Sequence, residues 1–223
     1  MIKIKNVPFL SFIINHFSKF DINKIYIMAG YKGHIIKKKY HGKIVNLTKI
    51  ECLVEKKPLD TFGCLQLIKN KVNDFYMVNG DTFFDVNLEK FKINKNKIGI
   101  MALTKNYNYP GNYKLSNLQI NKKKEIIYQK KSNLMNGGLY FFNRKILNYL
   151  NSKKQSLEND IIPHLIDKKQ ISGKLIKNKK FIDIGTKQNL KFIRKNYDYF
   201  FEKSAVFLDR DGVINHDKGY TYK

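Results

Sequence analysis

The sequence contains no tryptophan, only four prolines and only two cysteines among its 223 residues. Cys52 and Cys64 do not form a closely spaced pair, so neither a disulfide framework nor a zinc site is expected from them. We predict two reduced thiols in the core of a cytoplasmic protein. No apolar run is long enough to cross a membrane, and residues 1–8 lack the apolar segment and cleavage site of a signal peptide. No membrane partner is therefore expected.

Acidic residues are also scarce, with 18 Asp and Glu against 43 Lys and Arg, which gives a net charge of +25. A field of this size attracts nucleic acids or small anionic substrates. The lysines are spread over most segments, as in a chain encoded by AT-rich DNA, instead of forming one patch with interleaved aromatic residues. We therefore predict no nucleic-acid partner; the alternative, a nucleic-acid binder, requires an affinity that falls steeply with salt.

Hydrophobic periodicity divides most of the chain into short strands and helices. The pattern predicts helices over 8–19, 35–40, 61–70, 144–150, 160–168 and 187–201, and strands over 24–29, 50–54, 75–78, 97–104, 138–142 and 181–185, with a weak strand near Ile44 and a hairpin-like region over 107–131. Strands that alternate with helices indicate an α/β fold, with a mixed, mostly parallel sheet flanked by helices. Ligands of such sheets bind beyond the carboxyl ends of the strands.

Two aspartates stand at or within apolar strand runs. Asp81 follows the strand predicted over 75–78, and Gly80 before it lets a ligand approach the backbone closely. Asp183 lies inside the run 181–185, where a carboxylate is costly to bury unless it is paired or bound to a cation. The two aspartates would suit one Mg²⁺ shared with phosphate oxygens. The spacing alone leaves an equal alternative, in which both cap turns or helices.

The flanking residues carry a family resemblance over roughly residues 5–195. Six stretches in family order are similar to motifs of the sugar-phosphate nucleotidyltransferases, most closely the heptose 1-phosphate guanylyltransferases: 8–10 with 30–33, 55–63, 78–85, 136–140, 156–160 and 181–185. The resemblance implies a Rossmann-like nucleotide-diphospho-sugar transferase fold. It also implies that a sugar 1-phosphate attacks the α-phosphorus of a nucleoside triphosphate, with GTP and a heptose as the implied pair, and pyrophosphate leaves in line.

The resemblance also implies roles for individual residues. Asp81 and Asp183 would hold Mg²⁺, and Asp81 and Lys131 would be catalytic, with Lys131 on the sugar phosphate. The substrate-binding positions that it implies are Thr61, Gly63, Gly80, Gly111, Asn136, Gly137 and Glu158. The alternatives are that Glu158 is an early-turn helix acid, that Lys131 is a surface lysine, and that residues 136–137 form an ordinary turn.

The substrate and the activity stay open from the sequence. A hexose 1-phosphate used with dTTP or UTP is the alternative within the same class, and a non-catalytic remnant is the alternative outside it. A homo-oligomer is also left open.

The sequence departs from the family pattern in two places. The family begins with a strand and a "GGxGTRL" loop, and this sequence starts after them, so we expect a sheet without its N-terminal central strand and with exposed strand edges. In the loop that faces the base in the family, Asp60 replaces a glycine and Phe62 replaces a small residue, while Lys130 stands where the family often has Glu. These changes weaken any prediction of the base.

The last residues form a separate motif. The sequence of 204–215 resembles the nucleophile motif of haloacid dehalogenase superfamily phosphatases, and the resemblance implies that Asp209 is the nucleophile and Asp211 the acid/base residue. An Asp-Gly turn after a strand is the alternative. The family's later catalytic residues would lie beyond Lys223, so no phosphatase activity is expected. We predict a nucleotidyltransferase domain over 1–202 and an incomplete phosphatase domain over 203–223 of a bifunctional protein.

Overall fold

The computed structural model describes residues 1–93, 96–105, 117–130 and 132–201. The strands in these ranges are β1 (Lys3–Ile4), β2 (Val7–Pro8), β3 (Lys24–Ala29), β4 (Ile44–Val45), β5 (Thr48–Val54), β6 (Phe75–Val78), β7 (Thr82–Phe84), β8 (Gly99–Lys105), β9 (Leu118–Ile120), β10 (Ile126–Tyr128), β11 (Leu134–Phe142), β12 (Ile171–Leu175) and β13 (Phe181–Asp183). The α-helices are α1 (Phe9–Phe17), α2 (Gly33–Tyr40), α3 (Asp60–Gly63), α4 (Ile162–Asp167), α5 (Lys187–Lys195) and α6 (Tyr197–Phe201). Short 3₁₀ helices cover Cys64–Ile68, Leu88–Lys90 and Arg144–Tyr149, and a π-helical turn covers Leu157–Ile161.

Two larger sheets organise the strands. One has the order β12-β8-β11-β6 and the other the order β3-β5-β4. The predicted mixed α/β class with flanking helices is confirmed. The balance of strand directions differs from the prediction of a mostly parallel sheet, because the parallel pairs among the described residues are β3 with β5 and β12 with β8. Strand β11 is antiparallel to both β6 and β8, and the smaller pairs β1–β2, β7–β13 and β9–β10 are antiparallel as well.

Strands β3 and β6 are each one edge of a larger sheet, and the opposite edges are β4 and β12. Each is paired on one side only among the described residues. Tyr26 and Met28 of β3 pack on the same apolar cluster as Phe75 and Met77 of β6, although the two strands do not pair. The apolar residues of β6 are only half-buried. The expectation of exposed strand edges stays a prediction.

The main sheet separates two apolar clusters. Strand side chains alternate between faces, so Ile100 and Ala102 of β8 contact the first cluster and Met101 and Leu103 contact the second. Helix α1 covers the first cluster because its apolar residues recur at helical spacing, with Phe9, Ile13, Ile14 and Phe17 buried. A smaller third cluster holds Ile14, Tyr40, Ile50 and Cys52.

Most predicted elements exist, and the differences have local causes. The helix predicted over 187–201 is interrupted at Asn196, whose φ of −109° and ψ of 32° depart from helical values and whose side chain donates to the Phe192 carbonyl at 2.9 Å. The segment 61–70 forms one short α-helical turn followed by a 3₁₀ helix. The predicted hairpin is β9–β10, while residues 106–116 lie outside the described part of the chain.

The two cysteines are free and buried. Burial raises the pKa of the Cys64 thiol to about 12, so this thiol stays protonated and unreactive. The prediction of two core thiols is confirmed. In the described part of the chain, no helix combines the length and the apolar character that a membrane span requires.

Candidate active site

Asp81 and Asp183 lie together, as the sequence predicted. Strands β7 and β13 pair antiparallel and place Asp183 opposite Thr82, and the amide of Ile184 donates to the Asp81 carbonyl at 2.9 Å. A Cβ atom added to Gly185 would lie 3.0 Å from Asp183 Oδ1 and 3.7 Å from Asp81 Oδ2. Both carboxylates therefore border the same small space above Gly185, which only a residue without a side chain leaves open.

The electrostatics of this pair fit a divalent cation. Burial raises the pKa of the Asp183 carboxyl, a hydrogen bond of 2.6 Å from the Gly185 amide opposes that change, and the negative charge of Asp81 raises the pKa further. No lysine or arginine in the described ranges forms an ion pair with either aspartate. The same ranges contain no group of three or more His, Cys, Asp or Glu side chains suited to a metal. Two carboxylates with remaining positions for phosphate and water are the protein contribution that Mg²⁺ usually receives.

The raised pKa of Asp183 predicts that this residue lowers stability at neutral pH. The folded protein holds the Asp183 proton more tightly than the unfolded chain does. The protonated carboxyl therefore adds to the free energy of unfolding below the unfolded pKa, and this contribution is lost as the pH rises through the folded pKa. We expect Asp183→Asn to be more stable than the parent at pH 7.5 without divalent cations, with a difference that shrinks as the pH falls towards about 4. Thermal unfolding in EDTA measures this difference, and a less stable variant at pH 7.5 would contradict it.

Gly80 leaves space beside Asp81. A Cβ atom at Gly80 would have no neighbour within 4 Å, so the approach to this side of Asp81 is open. The Thr82 hydroxyl donates to Asp81 Oδ1 at 3.3 Å and helps to orient the carboxylate. This geometry agrees with the predicted close approach of a ligand at Gly80.

A bulge in β11 positions Asn136. The pairing register of β11 with β8 shifts between Asn136 and Tyr140, and Gly138 has a φ of +64°. Asn136 Oδ1 accepts from the Gly138 amide at 3.0 Å, and its Nδ2 donates to the Tyr140 hydroxyl. The Gly138 carbonyl in turn accepts from the Asn79 amide at 2.9 Å, which joins this bulge to the end of β6.

Gly137 is packed against the core. A Cβ atom there would lie 2.6 Å from the Phe84 ring and 3.0 Å from the Ala102 carbonyl oxygen. Close packing alone therefore accounts for glycine at this position. Its contact with a substrate stays a prediction.

Glu158 lies at the start of the π-helical turn, but it is not the capping residue. Ser156 accepts from the Asn159 amide at 3.1 Å, and Asp160 accepts from the Ser156 amide at 2.7 Å, so these two residues satisfy the turn. Glu158 Oε2 accepts instead from the Thr61 hydroxyl at 2.8 Å. The side chain of Glu158 is thereby directed towards α3.

The segment 55–63 is a loop that ends in the short helix α3, and hydrogen bonds hold both of its ends. Glu55 Oε2 accepts from the Leu59 amide at 3.0 Å, and the Gly63 amide donates to the Gln155 carbonyl at 3.1 Å. Asp60 has a φ of +68°, a conformation that favours glycine, and its side chain accepts from the Thr61 amide at 2.8 Å. Phe62, which replaces a small residue of the family pattern, is fully buried in the second cluster.

The charge of Glu158 acts on the Asn136–Tyr140 pair. Burial raises the pKa of the Tyr140 hydroxyl, and the charge of Glu158 raises it further, so Glu158 and the Asn136–Tyr140 pair share one electrostatic environment. Tyr140 was not among the predicted site residues. Little in the sequence indicated this role for Tyr140, because a tyrosine four positions after Asn136 in a strand contacts it only where the strand has a bulge.

Four predicted site residues cannot be placed. Gly111, Lys131, Asp209 and Asp211 lie outside the described residues, as does the whole segment 203–223. Their roles stay predictions.

The chain is similar to the D-glycero-alpha-D-manno-heptose 1-phosphate guanylyltransferase of Campylobacter jejuni, with 32% identity over 194 residues that cover 85% of this chain and 86% of that protein. The enzyme of the same name from Aneurinibacillus thermoaerophilus is 28% identical over 212 residues, which cover 90% of this chain and 89% of that protein.

Solved structures share the fold. HddC from Yersinia pseudotuberculosis, complexed with GMP-PN, superposes with a TM-score of 0.72 at 20% identity and 88% coverage of both chains. The inositol-1-phosphate CTP transferase from T. maritima superposes with a TM-score of 0.70 at 13% identity, covering 92% of this chain and 88% of that one. A family model described as nucleotidyl transferase matches residues 1–198. Nearly the whole described chain is thus accounted for, and the protein belongs to the nucleotidyl transferase family.

Proposed function

We propose that this protein joins a nucleoside triphosphate to a sugar 1-phosphate and releases pyrophosphate, with GTP and a heptose 1-phosphate as its substrates. The observation that carries the proposal is the meeting of Asp81 and Asp183 over Gly185. This reaction brings two anions together. A site whose two carboxylates bind a cation, next to a glycine that leaves space for a phosphate, is suited to it. The names of the C. jejuni and A. thermoaerophilus relatives support the choice of heptose and GTP.

In this proposal Asp81 and Asp183 hold Mg²⁺. When bound, the cation neutralises charge on the phosphates. Asp81 and Asp183 fix its position because their backbones are joined across β7 and β13. Gly80 admits a phosphate beside Asp81, and Lys131 neutralises the phosphate of the sugar substrate.

Glu158 and Asn136 recognise the sugar in this proposal. In the part of the chain that the structure describes, Glu158 Oε1 has no hydrogen-bond partner, while Oε2 is held by Thr61. A carboxylate accepts hydrogen bonds from neighbouring hydroxyls of a sugar. Asn136 Nδ2 uses one of its two hydrogens on Tyr140 and keeps the other for the sugar.

The test is Mg²⁺-dependent pyrophosphate release from GTP and D-glycero-α-D-manno-heptose 1-phosphate. We expect this pair to react faster than mannose 1-phosphate with GTP, or than glucose 1-phosphate with UTP or dTTP. Higher activity with a hexose and UTP or dTTP would replace the heptose assignment. No pyrophosphate from any pair would leave a non-catalytic protein that keeps only the family fold.

The division of the chain into residues 1–202 and 203–223 is part of the same proposal. Asp209 and Asp211 would begin a phosphatase domain that acts on a heptose bisphosphate. The buried thiols support a cytoplasmic location, where nucleoside triphosphates are available.

A further inference from the structure

We infer that Thr61 is a positioning residue that holds Glu158 ready for the sugar and does not donate to the substrate itself. The inference rests on the proposed function, since it concerns how the sugar carboxylate of that site is fixed. It changes the role that the sequence suggested for Thr61, which was direct substrate binding.

The Thr61 hydroxyl forms two hydrogen bonds of 2.8 Å. It donates to Glu158 Oε2, which is 97 positions away in the sequence, and it accepts from the backbone amide of Leu157. A hydroxyl has one hydrogen to donate. Because that hydrogen is used on Glu158, the hydroxyl has none left for a substrate.

Thr61 is itself held in place. The amides of Phe62 and Gly63 both donate to the Gln155 carbonyl, at 3.0 and 3.1 Å, and the Phe62 ring is fully buried. On the other side, Asp60 accepts from the Thr61 amide at 2.8 Å and pairs with Lys154 at 3.5 Å. The hydroxyl therefore projects from a fixed turn.

Glu158 needs such a partner because it is not held by its own turn. Ser156 and Asp160 form the capping bonds there, and Glu158 is only half-buried. A glutamate has several rotatable bonds, and fixing them when the sugar binds would weaken affinity. The bond from Thr61 fixes one carboxylate oxygen beforehand and leaves Oε1 for the sugar hydroxyls.

Thr61→Val removes the hydroxyl and keeps the shape of the side chain. We expect it to weaken binding of heptose 1-phosphate about tenfold, the loss of roughly one charge-assisted hydrogen bond, with little change in GTP affinity. Titration calorimetry with Mg²⁺ and a non-hydrolysable GTP analogue measures both affinities. Steady-state kinetics should show a higher KM for the sugar phosphate and a nearly unchanged kcat. Thr61→Ser should restore the parent affinity.

Thr48→Val is the matched control. The Thr48 hydroxyl donates to the Ile22 carbonyl at 2.9 Å, at the opposite end of β5 from Glu55. This variant should bind the sugar phosphate as the parent does.

Two further measurements separate an action through Glu158 from direct contact. In a Glu158→Ala background, Thr61→Val should cause no additional loss of sugar affinity, because the residue it positions is gone. An additive loss would overturn the inference, and so would parent-like sugar affinity in Thr61→Val. Hydrogen exchange at the Leu157 amide should be faster in Thr61→Val than in Thr61→Ser, and equal rates would show that the bridge does not exist in solution.

The two proposals fail in distinguishable ways. If the parent protein binds no sugar 1-phosphate, the proposed function falls and the role of Thr61 falls with it. If the parent binds and Thr61→Val binds equally well, only the role of Thr61 is wrong.

Discussion

Replacing Asp81 with asparagine should lower kcat/KM for nucleotidyl transfer about a thousandfold. A bound divalent cation contributes several kcal/mol of charge stabilisation in the transition state, and each 1.4 kcal/mol corresponds to about a factor of ten. The loss should be large because the described residues offer only Asp183 as a second carboxylate in this space. Pyrophosphate release at saturating Mg²⁺ measures it.

The pattern of variants is as informative as the loss itself. Asp183→Asn should reduce the rate by a similar factor, and the double variant should be little worse than either, because the two residues act on one ion. Asp21→Asn changes an exposed aspartate outside the site and should leave the rate unchanged. A loss of less than tenfold in Asp81→Asn would exclude a shared cation.

Gly137→Ala should destabilise the protein by about 1–3 kcal/mol, the usual range for overpacking in a core. The added Cβ would lie 2.6 Å from the Phe84 ring, and this ring is almost fully buried and cannot turn out to solvent. The Ala102 carbonyl at 3.0 Å blocks relief by a backbone shift on the other side. Thermal unfolding should show a decrease of about 2–4 °C for each kcal/mol.

Gly80→Ala is the control for this prediction. The same methyl group at Gly80 meets nothing within 4 Å, so its stability should stay within about 0.5 kcal/mol of the parent. Phe84→Leu should recover part of the loss in the Gly137→Ala background, because it removes the atoms that clash. Equal melting temperatures for the parent and Gly137→Ala would show that the packing at β11 is looser than described.

The position of Asp81 and Asp183 in apolar strand runs left capping as an equal alternative, and the family resemblance favoured their meeting. In the structure they meet because β7 and β13 pair antiparallel, which no local pattern predicted. The sequence also did not predict the antiparallel β11 or its bulge, since pairing direction and register depend on partners far away in the chain. The contact of Thr61 with Glu158 had no local signal for the same reason. The full burial of Phe62 was not predicted either, because a single aromatic residue in a short polar segment does not reveal that it is buried.

The unpaired sides of β3 and β6 bear on how readily copies of the protein associate at different salt concentrations. A strand edge of this kind offers backbone donors and acceptors to any neighbouring molecule with a similar edge. The net charge of +25 makes copies of the protein repel one another, and mobile ions weaken that repulsion over a distance of about 10 Å at 0.1 M ionic strength. The excess of lysine thus opposes association of two copies through these strand sides in dilute buffer, and it opposes association less in concentrated salt.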